Sequence, residues 1–191
     1  MDFNKMTQKS QEAIMEAQKI ATEHGNVEVD TDHLVLALIA QENGIIPRLL
    51  QKSNKPIDAI LIDIENIIKR KPKVSGPGIE IGKVYISQKL NQVLINSEKE
   101  AKRLKDEYIS VEHIFIAIIE DNSNYELSNI FKKYEIKNQE LLKYLNEIRG
   151  NQRVTGVNPE DTYEALERYG RDLVKLVKNG KLDPVIGRDI E

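Results

Sequence analysis

Three histidines carry most of the side-chain chemistry this chain could perform, and two of them occupy matching places. His33 stands in DTDHLVLALI (30–39) and His113 in SVEHIFIAII (110–119), offset by 80 residues, each directly after an acid, Asp32 or Glu112. An acid beside an imidazole is the raw material of a general base or a metal site. The context argues for a plainer role. Each His falls in the first turn of a run opened by an N-cap residue, Asp30 or Ser110, and the only other His is His24. The absence of Cys removes thiolate ligands, thiol nucleophiles and disulfides together. No Ser–His–Asp spacing stands out, and most Asp and Glu are expected on solvated helix faces. Capping and packing account for both histidines, so neither a metal site nor a catalytic centre is expected.

The runs behind these histidines set the architecture. Leu34–Ala40 and Ile114–Ile119 have almost no polar face, so each reads as a short helix buried in the middle of a domain. Neither is long enough to span a bilayer. Upstream, TQKSQEAIMEAQKIATEHG places Ser10, Ala13, Ile14, Ala17, Ala21 and His24 on one helical stripe, capped by Thr7 and stopped at Gly25. Eighty residues later SQKLNQVLINSEKEAKRLKDE repeats the scheme from Ser87, with Leu90, Val93, Leu94, Ser97, Ala101 and Leu104 on the stripe. After each central helix come a polar break (42–44 or 121–124), a short apolar helix (IIPRLLQK or ELSNIFKK) and a fourth helix. The fourth helices are PIDAILIDIENIIKR, with Pro56 suited to the first helical position, and NQELLKYLNEIRG.

The expected fold is all-α: two pseudo-twofold-related four-helix repeats, 3–70 and 84–150, forming one globule over 1–150. Two repeats are too few for a solenoid. The joining segment 71–83 is a loop by its Pro and Gly content, with Ile79 and Ile81 as candidate latches. Its GPGIEI run follows no strand and lacks the third Gly of a dinucleotide motif. Residues 151–158, NQRVTGVN, read as a linker without core anchors, and Asn158-Pro159-Glu160-Asp161 starts a further helical segment over 159–191. A formal net charge of −3 gives no pull toward nucleic acid or an anionic membrane. The N-terminus has neither the basic nor the apolar region of a signal peptide, so a cytoplasmic location is expected.

Taken together, MTQKSQEAIMEAQKIA, VEVDTDHLVLALI, VYISQKLNQVLINSEKEAKRLKDEYISVEHIFIAI, NPEDTYEALERYGRDL and GKLDPVIGRDIE resemble the ClpB-type disaggregases, heat-shock AAA+ chaperones of the Clp family. The resemblance runs along the whole chain and implies an N-terminal Clp repeat domain, a linker and the leading segment of a first ATPase module. It implies binding of exposed apolar segments of unfolded or aggregated polypeptides, delivered to an ATPase ring beyond this chain. In the complete family protein it implies ATP and Mg, a homo-hexamer and cooperation with a DnaK-type chaperone. Residue by residue it places a polar substrate-binding cluster on Thr7, Asp106 and Glu112. Beside that cluster, Ile14, Val93 and Leu94 are candidates for an apolar groove at the seam between repeats, although stripe residues of this kind serve as core more often. Val185, Ile186 and Gly187 match the family segment that lies against adenine. By the residues alone, Asp106 near a helix C-terminus opposes the macrodipole and reads as solvated surface, while Thr7 and Glu112 read as helix N-terminal groups. Two alternatives belong to other classes: an adaptor-docking module, and an ATPase fragment with residual nucleotide binding.

No G-x-x-x-x-G-K-[ST] occurs anywhere in the sequence, so the chain lacks the backbone cradle and the phosphate-binding Lys of a Walker A loop. The chain is therefore not expected to be an enzyme. Incubated with ATP and Mg²⁺, it should neither release phosphate nor gain thermal stability, because stabilisation requires binding to the native state. A rise of several degrees in the unfolding midpoint at millimolar ATP would overturn this expectation.

Overall fold

A computed structural model describes residues 3–73, 84–150 and 152–159. The candidate residues Val185, Ile186 and Gly187, the latches Ile79 and Ile81, and the segment 160–191 lie outside the described residues. Residues up to Pro159 form one compact unit. Its helices are α1 (Gln8–Glu23), α2 (Thr31–Ala40), α3 (Ile45–Lys52), α4 (Ile57–Arg70), α5 (Gln88–Arg103), α6 (Val111–Glu120), α7 (Tyr125–Lys133) and α8 (Asn138–Arg149). A 3-10 turn over Phe3–Lys5 precedes them. The mostly helical fold and its order agree with the sequence expectation, with Pro56 one residue outside α4 rather than its first member.

The central position of α2 and α6 follows from their composition. Every residue from Thr31 to Ile39, and every residue from Val111 to Ile118, is buried. The other helices bury one stripe each: Ala13, Ile14 and Ala17 on α1, Ile60, Ile64 and Ile68 on α4, and Leu90, Val93 and Leu94 on α5. Phe115 and Phe131 meet edge to face, with ring centroids 6.1 Å apart, fastening α7 to α6.

Two short parallel ladders, which no helical periodicity announces, cross-link the halves. Residues β1 (Glu28–Val29) pair with β2 (Tyr85–Ile86), and Met6 bridges to Ile109. These ladders are the same object at an offset of 80 residues. Ser87 N–H donates to Val29 C=O at 2.9 Å, and Thr7 N–H donates to Ile109 C=O at 3.0 Å. In each, the residue that N-caps a first helix (Thr7 of α1, Ser87 of α5) is hydrogen-bonded to the segment leading into the other half's central helix. Each half therefore completes the other, and neither half has all of its backbone partners alone.

The segment 152–159 departs from the expected anchor-free linker. Val154 is fully buried, its carbonyl accepts from Glu107 N–H at 2.9 Å, and Val157 C=O accepts from Gln8 N–H. A polar composition hid the anchor Val154 with its dense set of backbone bonds, and Pro159 is buried as well.

The ends of the first helices differ between the halves. After α1, Gly25 takes φ 71° and lets Asn26 N–H reach Ala21 C=O at 2.9 Å. After α5 the same turn is made by Lys105 at φ 61°, with Asp106 N–H on Ala101 C=O. A left-handed residue with a Cβ is strained, whereas Gly adopts that conformation freely. Lys105→Gly is expected to raise unfolding stability by up to about 1 kcal/mol, read as a higher urea midpoint at unchanged slope. A lower midpoint would show that the Lys105 side chain contributes more than the turn costs.

Candidate functional site

The helix starts place the titratable groups. In each central helix the third residue is the His, and its Nδ1 accepts the N-cap backbone amide: Asp30 N–H to His33 and Ser110 N–H to His113, both at 3.0 Å. With Nδ1 accepting, Nε2 carries the proton and donates: to Asn26 Oδ1 at 3.0 Å from His33, and to Asp106 Oδ2 at 2.9 Å from His113. Asn26 and Asp106 are the residues just past the left-handed turns that end α1 and α5. Each imidazole thus ties the end of one helix to the start of the next.

A buried acid and a cation stand beside each imidazole. In the first half Lys71 Nζ lies 2.6 Å from Asp32 and 2.9 Å from Asp30, which also accepts from Ser87 Oγ–H at 2.7 Å. In the second half Arg149 lies 2.8 Å from Asp106 and 3.3 Å from Glu112. The cation comes from the end of the fourth helix, or the residue just past it, in both cases. Asn124, the N-cap of α7, joins the first cluster from across the molecule, donating to Thr31 Oγ1 at 2.9 Å and to Asp32 Oδ1.

These environments move the proton equilibria. Burial disfavours the Asp106 carboxylate, but hydrogen bonds from His113, Arg149 and the Val154 amide outweigh it and lower its pKa from 3.8 to about 2. Burial lowers His33 from 6.5 to about 4, with Asp32 opposing that shift and Lys71 adding to it. Burial opposes the shift of Asp30 as well, yet Lys71 and Ser87 hold it below the ordinary carboxylate range.

The residues singled out from the sequence fall into two groups. Thr7 is fully buried and caps α1, accepting from Ser10 N–H at 3.3 Å. Asp106 and Glu112 come together through Arg149, and their side chains are only 1% and 2% exposed. Asp106 is therefore a buried ionic centre and not the solvated surface acid that its place after a helix C-terminus suggested. Ile14, Val93 and Leu94 are core residues at 4%, 0% and 2% exposure. As they stand, the six expose almost no surface to a partner; they form the frame on which a surface is carried. Sequence reasoning missed Arg149, Lys71, Asn26 and Val154. The one available signal was positional, since Asn26 answers Asp106 at the 80-residue offset.

Among the described residues no group of three or more His, Asp or Glu could hold a metal ion, and no helix is long and apolar enough to cross a membrane.

Comparison with known proteins follows the same lines. The Clp repeat (R) N-terminal domain family matches residues 5–134. The chain is 52% identical over all 191 residues to the chaperone protein ClpB of Bacillus anthracis, and 47% identical over the same length to that of Nitratidesulfovibrio vulgaris. In both cases it spans 22% of the relative's length. Among solved structures, the Hsp104 N-terminal domain from Candida albicans superposes with a TM-score of 0.69 at 22% identity, covering 81% of this chain and 98% of that one. A ClpV N-domain in complex with a VipB peptide gives 0.58 at 16% identity, covering 75% and 86%.

The two pKa shifts have the same consequence. Above about pH 6.5 the fold keeps the full benefit of a neutral His33, and that benefit is lost as pH falls from 6.5 through about 4. The Asp106 contribution is complete above pH 3.8 and is lost as pH falls through about 2. Urea unfolding should therefore weaken in two stages on acidification. Asp106→Asn should remove the lower stage and, by leaving Arg149 short of a partner, cost about 3 kcal/mol at neutral pH. Parallel pH curves for the two proteins would show that Asp106 does not carry the acid limb.

Proposed function

Because the chain belongs to the Clp repeat N-terminal domain family, at 52% identity to a ClpB chaperone along its whole length, we propose that it recognises polypeptide substrates. It binds exposed apolar segments of unfolded or aggregated chains weakly and passes them to an ATPase ring formed beyond these residues. The observation that carries this reading is the family match itself, which names an N-terminal domain and spans residues 5–134, from α1 to α7.

The surface is compatible with it. Met15 and Ile95 occupy the same position on α1 and α5 and are 59% and 39% exposed. Their chain neighbours Ile14 and Leu94 are buried and turn them outward. An unbranched, polarisable Met suits a surface that accepts varied apolar partners. In this reading Thr7, Asp106 and Glu112 are positioning residues that fix helix starts and the segment 152–157, while Ile14, Val93 and Leu94 are the floor beneath the contact surface.

Burying about 300 Å² of apolar peptide surface yields roughly 7 kcal/mol at 25 cal/mol per Å². Ordering a flexible peptide consumes much of that, leaving a Kd on the order of 10–100 µM. Titration against several unrelated unfolded polypeptides should show broad binding of this strength that survives added salt, since apolar contact is not screened. One tight folded partner with no affinity for the panel would instead identify an adaptor-docking module.

A further inference from the structure

We propose, building on the polypeptide-binding reading above, that the cleft beside β1 is a seat for an extended peptide, of the kind the chain's own segment 153–155 occupies in its other half. In the first half no described residue makes the corresponding backbone bonds. In the second half Val154 lies over residues 106–108: its N–H donates to Asp106 Oδ1 at 2.8 Å, and its C=O accepts from Glu107 N–H at 2.9 Å and Tyr108 N–H at 3.3 Å. The counterparts of those three residues, by the offset of 80 and by the shared bond to a His Nε2, are Asn26, Val27 and Glu28. They line a cavity of about 300 Å³ with Asp30, Lys71 and Pro72.

The local differences show why the chain fills one seat and only touches the other. Asn26 spends its amide on Pro72 C=O at 3.2 Å, which holds the residues just past α4 against the side chain. Among the described residues the Val27 and Glu28 amides have no acceptor, whereas Glu107 and Tyr108 share one. On the other edge of the same strand, Val27 C=O and Val29 C=O are already taken by Tyr85 and Ser87 amides. The cleft therefore presents two backbone donors to a single incoming carbonyl, as Glu107 and Tyr108 present theirs to Val154, on a strand whose opposite edge is already paired.

Chemistry of the rim narrows the occupant. Glu28 is exposed, lines the cavity and makes no ion pair among the described residues. Lys71 is engaged by Asp30 and Asp32. A segment with a basic residue next to a valine-sized one meets both the free carboxylate and the apolar side of Val27, as Arg153-Val154 would. The ligand class is an extended, unfolded polypeptide stretch with that pattern.

The test uses the whole chain and a blocked peptide with the sequence of residues 152–158. In an amide NMR titration the Val27 and Glu28 resonances should move together and saturate at millimolar peptide, and a peptide with Gly in place of both Arg and Val should leave them still. Independently, the chain has no Cys, so Val27→Cys creates a single thiol at the cleft. Thiol–disulfide exchange with a version of the peptide carrying a Cys activated as its 2-nitro-5-thiobenzoate disulfide, which releases the thiobenzoate as the mixed disulfide forms, should run about tenfold faster there than at Glu16→Cys on the exposed face of α1. Equal cross-linking rates, or shifts confined to other amides, would overturn the cleft as a peptide seat. If unfolded polypeptides still bind in that case, the proposed function stands without this site. Capture of the peptide at the cleft with no binding of unfolded polypeptides would do the reverse.

Discussion

The imidazole at the third position of each central helix is the constraint on which the rest of the molecule depends. One nitrogen satisfies the N-cap amide, which no other side chain at that helix start reaches, and the other fixes the residue that follows the preceding helix. A lysine could offer no acceptor there, and a carboxylate would add charge to a buried site already holding one. The neutral imidazole alone supplies an acceptor and a donor on opposite sides of a rigid ring. Burial of the ring, which disfavours its charged form, holds the His33 pKa at about 4 and so keeps the imidazole in the neutral form that this role needs.

Charge follows from the same constraint. Holding α1 against α2 and α5 against α6 buries the acids at the second helical position, Asp32 and Glu112, at 0% and 2% exposure. A buried carboxylate requires a cation, and in both halves the end of the fourth helix delivers it, as Lys71 or Arg149. Buried ion pairs add little net stability over apolar packing, but removing one partner is costly. Their consequence here is specificity of arrangement: the fourth helix of each half is held to the first turn of its central helix. The acids near the helix starts are thereby committed to structure.

Periodicity made the helices legible in the sequence because each stripe repeats every 3.6 residues, and the offset of 80 made their pairing legible. The two parallel ladders were not, since two-residue strands leave no alternation to read. Asp106 was misplaced on the surface for a definite reason. A charged residue after an amphipathic helix is solvated unless a distant partner neutralises it, and its partners, Arg149 and the Val154 amide, come from 43 and 48 residues away. The same long-range partnership hid the anchoring role of Val154 within a polar segment. Local pattern reports local structure, and this site is assembled from its opposite.

The departures between the halves are more informative about function than their agreement. Where both halves carry the same residue type, as at His33 and His113, the role is common and structural. Asp106 and Asn26 differ, and their bonds differ with them. Asp106 accepts a backbone amide and draws 152–157 onto its half, while Asn26, with the same length and shape, donates to Pro72, and among the described residues the neighbouring amides have no acceptor. The change from carboxylate to amide converts an acceptor into a donor at one atom, and at that atom the polarity decides whether a strand of the chain settles there. Among the described residues the two versions of this backbone edge thus differ: the second holds Val154 of its own chain, and the first has no such partner.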